Sequence, residues 1–148
     1  MANSILALTL SIDATGKYKF TKSNGAHMHS KGHIWLLEED DPVDISITLN
    51  RSTYKQGYEF AHGAGADGSQ AIFIGVAANA KNSFPHAPGS SFSNPVLSKS
   101  SLSPAYNILT FTSDNSDGAY YFYQLNFTPV AGLLPRIDPI IVNKSTDI

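Results

Sequence analysis

Residues 4–23 read SILALTLSIDATGKYKFTKS. Leu6, Leu8, Leu10 and Ile12 recur at every second position, while the positions between them pass from Ile5 and Ala7 to Thr9 and Ser11. Period two with one face turning polar is the pattern of a half-buried strand. Asp13 to Gly16 then supplies turn chemistry, because an Asp carboxylate bonds nearby backbone amides and glycine accepts positive φ. Tyr18 and Phe20 follow, alternating with Lys17 and Lys19, and Lys22 stands close by. The segment therefore predicts a β-hairpin.

The same period runs through the rest of the chain. GHIWLLEE (32–39) and VDISITLN (43–50) read as strands, with Val43, Ile45, Ile47 and Leu49 in phase and EDDP between them as a tight acidic hairpin turn. GYEFAH, AIFIGVAA, YNILTFTS, AYYFYQLNFT and DPIIVN complete the set. Asn79 to Pro104 holds four of the eight prolines and eight serines without usable periodicity, and predicts a long surface loop. No apolar pattern of helical period and length occurs. These features predict an all-β fold: one domain over 1–148, an antiparallel Greek-key β-sandwich of immunoglobulin-like or cupredoxin-like shape with about eight or nine strands. In SDGAYYFY, Tyr120 stands where a tyrosine corner would, with Ser116 in the place usually held by Asp. Near the end, Asp138-Pro139 precedes Ile140-Ile141-Val142. Proline lacks an amide donor and fits the first residue of a strand, and it biases Asp138 towards extended backbone, so the step launches the last strand.

Composition narrows function. Ten Lys/Arg against twelve Asp/Glu give a net charge of −2, with no basic face for nucleic acid or an anionic membrane. With no cysteine there is no disulfide framework, no thiolate metal site and no blue-copper centre. The apolar run at the start follows no basic residue and soon alternates, so it reads as a strand rather than a signal peptide, pointing to a cytoplasmic protein. No run approaches the roughly 18 apolar residues of a membrane helix.

GAHMHSKGH (25–33) carries the most chemistry. His27 and His29 are two apart and share a face of an extended chain; with His33 they would offer three imidazoles suited to zinc, copper or nickel. The bland alternative is a set of solvated histidines after a glycine. The segment resembles the opening of a cupin motif, but the Glu that motif needs is displaced to Glu38. Gly63, Gly65 and Gly68 spell G-x-G-x-x-G, yet a strand-like run follows rather than a helix, which leaves a flexible glycine loop. Glu38 to Asp41 lacks EF-hand spacing. No nucleophile elbow or phosphate loop occurs. Sequons stand at Asn50, Asn126 and Asn143. Trp35, the single tryptophan, shares a strand face with His33 and Leu37. His33, Trp35 and Tyr120 are the candidate ligand-contact residues, as a binding patch or as core aromatics.

Three pieces, LTLSIDATGKYKFTKSNG, KGHIWLLEEDDPVDISITLN and the Tyr-rich strand running to IDPIIVN, resemble the small bacterial DP-EP family, a name connected with an Asp-Pro near the C-terminus. A trailing Glu-Pro is missing, with Lys144-Ser145 in its place. The ending is also similar to the AidA/PixA inclusion-body proteins. Both resemblances imply a bacterial β-sandwich, and neither carries a catalytic residue. The expected function is a non-enzymatic binding or self-associating module with no cofactor, whose partners are a second copy of the chain or a small-molecule or glycan ligand. A metal protein built on His27, His29 and His33 and a lectin-like module are the alternatives.

Overall fold

The computed structural model describes residues 4–24, 27–28, 34–37, 42–62, 68, 70–77, 95–101, 106–113, 120–127 and 140–145. In chain order these form β1 (Ser4–Ile12), β2 (Tyr18–Asn24), β3 (His27–Met28), β4 (Ile34–Leu37), β5 (Val43–Leu49), α1 (Arg51–Tyr54), β6 (Ile72–Ala77), β7 (Val96–Ser98), β8 (Ile108–Ser113), β9 (Tyr120–Leu125) and β10 (Ile140–Ser145). The fold is mostly β, and among the described residues no helix is long and apolar enough to cross a membrane.

The β1–β2 hairpin forms as its sequence predicts. Leu10 pairs with Phe20 and Ile12 with Tyr18, with an irregularity between Ala7 and Leu8. One Asp13 carboxylate oxygen accepts from the amides of Thr15 at 2.9 Å and Lys17 at 3.0 Å, and from the Thr15 hydroxyl at 2.6 Å. Gly16 takes φ +84°, the left-handed region where a side chain would be strained. Leu6, Leu8, Leu10 and Ile12 are all buried.

Two five-stranded sheets result, ordered β2-β1-β5-β8-β7 and β3-β4-β10-β9-β6. The expectation of antiparallel pairing throughout is overturned: β1 pairs with β5 in parallel, and so does β4 with β10. The reason lies in the route of the chain. A parallel pair needs a crossover rather than a hairpin, and here the chain leaves the first sheet after β2, lays β3 and β4 into the second, and returns as β5. The EDDP stretch is therefore no hairpin turn, because the strands on either side of it belong to different sheets; residues 38–41 themselves lie outside the described set.

Three further expectations are corrected. The stretch 79–104 is not loop throughout, since Val96–Ser98 pairs antiparallel with β8. GYEFAH forms no strand, and among the described residues it makes one bridge, Phe60 to Phe127. One helical turn, α1, stands where no helix was expected. Asn50 caps it from an extended conformation, its side chain accepting from the Thr53 amide. Ser116, the upstream part of the expected tyrosine corner, lies outside the described residues.

Alternation fixes the core. Leu6, Leu8, Leu10, Ile45, Ile47, Leu109 and Phe111 of the first sheet join Ile34, Ile72, Tyr123 and Leu125 of the second in one buried cluster. Phe60 and Phe127 stack within it at 5.5 Å between centroids, with Tyr58 edge-on to Phe127 at 6.0 Å. Each such side chain contributes about 1.5–3 kcal/mol by leaving water.

Candidate functional site

The second sheet brings distant candidates into line. His27 is the register partner of Trp35, Trp35 of Val142, Val142 of Tyr120, and Tyr120 of Ala77. At about 4.7–4.9 Å between strands, this backbone row is about 19 Å long. The adjacent row runs Met28, Ile34, Ile141, Tyr121 and Val76, and its Ile34 is fully buried. Successive strand positions alternate between faces, so the His27 row has the parity opposite to that of the buried Ile34. Tyr123, two positions on from Tyr121, keeps the inner parity and is fully buried. Its phenol is pushed well above the ordinary range, first by burial and then by the nearby Tyr18 phenol.

Of the expected ligand-contact residues, Trp35 and Tyr120 thus share one row with His27. His33, the third of that set, and His29 lie outside the described residues. Among the described residues no group of three or more His, Asp or Glu is placed to hold a metal ion. Of the glycine motif, Gly63 and Gly65 lie outside the described set, while Gly68 is buried and pinned: its amide donates to the Pro95 carbonyl at 2.9 Å. A Cβ at Gly68 would meet the Pro95 carbonyl carbon at 3.0 Å and Leu109 Cδ1 at 3.1 Å. Close packing against the residue that precedes β7 explains this glycine.

A polar cluster that the sequence did not announce gathers Glu59, His62, Lys99 and Tyr106. Glu59 Oε2 accepts from the Tyr106 amide at 2.9 Å, and Glu59 Oε1 lies 3.3 Å from His62 Nε2. The His62 ring meets the Tyr106 ring edge-on at 4.7 Å, and Lys99 Nζ lies 4.9 Å from the same Tyr106 centroid. The Phe60 amide donates to the Tyr106 carbonyl at 3.1 Å and the Ala61 amide to the Asn126 carbonyl at 2.9 Å. Residues 59–61 therefore tie the entry of β8 to the exit of β9, and Glu59 secures that tie. Nothing local in GYEFAH signals it, because Glu59 and Tyr106 are 47 positions apart.

The chain matches no protein-family model and no curated protein.

Proposed function

We propose that this protein is a non-enzymatic binding or self-associating module, its two sheets stacked as a β-sandwich, with its ligand surface on the outer-parity row of the second sheet. The carrying observation is the register that aligns His27, Trp35, Val142, Tyr120 and Ala77. A tryptophan and a tyrosine with one strand between them, and an imidazole at one end, suit a carbohydrate. Aromatic faces stack on the apolar faces of sugar rings, and a ring nitrogen bonds hydroxyls. The contribution of both sheets to a single core cluster supports the sandwich. The likeness to the DP-EP proteins is part of this proposal and rests on the residues quoted for it.

A glycan array, followed by titration calorimetry on any hit, tests the reading. Binding of one sugar class is expected, weakened on the order of tenfold or more by Trp35→Ala or Tyr120→Ala with the melting temperature held. Binding indifferent to both substitutions, or no binding across the array, would overturn the carbohydrate surface. Reproducible hydrolase or oxidoreductase turnover lost in His27→Ala would overturn the non-enzymatic reading.

A further inference from the structure

Each sheet has two edges, and the four edge strands differ in how well they resist pairing with another chain. An edge presents a row of unpaired amides and carbonyls, which proteins blunt with lysines, prolines or short strands. β2 carries Lys19 and Lys22 and follows Lys17. β7 is three residues long and follows Pro95, and β3 is two residues long. β6 has none of these devices: it is six residues, IFIGVA, without a charge or a proline. Among the described residues its only strand partner is β9.

We infer that a second copy of the chain pairs antiparallel with β6 along its outer edge, joining two second sheets into one ten-stranded sheet across a two-fold axis. The occupant follows from charge. An isologous pair sets each strand against itself, so β2 against β2 would bring lysines together, whereas β6 against β6 brings no charge at all. Opposed residues of an antiparallel pair share a face, so the two-fold passes through a residue; set at Gly75, next to the midpoint of Ile72–Ala77, it opposes Gly75 to itself and Phe73 to Ala77. This inference rests on the self-associating half of the function proposed above and gives it a surface.

The chain has no cysteine, so one introduced thiol reports proximity. Directly opposed antiparallel positions are about 4.5–5.5 Å apart at Cα, within disulfide reach. Light scattering at high protein concentration is expected to give twice the monomer mass. Gly75→Cys is expected to form a disulfide-linked dimer under mild oxidation, and Lys19→Cys on β2 is not. Phe73→Lys and Ala77→Lys, at parity opposite to the buried Ile72, are expected to return the protein to monomer mass with its circular dichroism intact. A dimer that survives both lysine variants and gives no Gly75→Cys crosslink would overturn the β6 edge while leaving self-association standing. A strict monomer would overturn both. Slow amide exchange over residues 72–77 in that monomer would show that another segment of the same chain covers the edge.

Discussion

Ile12 and Thr53, 41 positions apart, are joined at the heart of the fold: the Ile12 amide donates to Thr53 Oγ1 at 2.9 Å, and both residues are buried. Gln56 Nε2 donates to the carbonyl of the same Ile12 at 2.7 Å. The last residue of β1 thus satisfies both backbone groups on α1 and the turn after it. Asn50 completes the joint: its amide donates to the Leu10 carbonyl at 3.2 Å and its Nδ2 to Ser11 Oγ at 2.8 Å.

Thr53→Val keeps the shape and removes the acceptor, leaving a buried amide unpaired. A loss of about 1–3 kcal/mol is expected. Asn50→Ala removes a helix cap and should cost about 0.5–2 kcal/mol. Because Asn50 Oδ1 also accepts from the Thr53 hydroxyl, the double variant should lose less than the sum of the two. Urea denaturation of the three variants measures this coupling; strict additivity would contradict it.

Gly68→Ala places a methyl 3.0 Å from Pro95 and 3.1 Å from Leu109 Cδ1. Overpacking of this kind costs about 1–3 kcal/mol. The change should lower the melting temperature and loosen β7, seen as faster amide exchange at Leu97. Unchanged stability would mean that the β7 segment moves aside without cost.

Asp13 is held below its ordinary value of 3.8, first by the Thr15 hydroxyl, then by the Thr15 and Lys17 amides and the Lys17 charge. Its folded-state value is the depressed one, so its contribution is present above the unfolded value and is lost as pH falls through the folded one. Relative to wild type, Asp13→Asn should be less stable at neutral pH, and the gap should close as pH drops below 3.8. Paired thermal melts at neutral and strongly acidic pH check the closing gap; a constant difference would count against it.

Tyr123 presents the opposite sign. Burial holds its phenol neutral well above the ordinary value of 10.0. Its contribution is therefore complete below that value, and stability should fall as pH rises beyond it, when the unfolded chain alone releases the proton. Ultraviolet titration should show one tyrosine ionising only as the fold is lost, and Tyr123→Phe should remove that step. An early, reversible titration of every tyrosine would refute the assignment.

The faces of the strands were legible in the residues and their neighbours were not. Leu6 to Ile12 and Val43 to Leu49 alternate so regularly that burial could be read directly, and Asp13 with Gly16 marked the hairpin. Alternation says which side of a strand is apolar, however, and nothing about which strand lies beside it. The parallel pairing of β1 with β5 depends on a crossover that leaves no local mark. Val96–Ser98 is too short to carry a period, and α1 is a single turn defined by tertiary bonds to Ile12 rather than by an apolar stripe. The candidate residues followed the same division. His27, Trp35 and Tyr120 were visible as residue types, but their common row exists only through β10, which lies between β4 and β9.

That central place of β10 governs the order of assembly. Chain synthesis delivers β3, β4, β6 and β9 before Ile140, yet the sheet order is β3-β4-β10-β9-β6. Until β10 arrives, the β3–β4 hairpin and the β9–β6 pair have no common neighbour, and β4 and β9 each wait with a bare side. Removing residues 140–145 would not trim an edge. It would divide the second sheet into two fragments and take with them the row that His27, Trp35 and Tyr120 share. The first sheet, complete once β8 has been made, is positioned to serve as the platform on which those fragments wait.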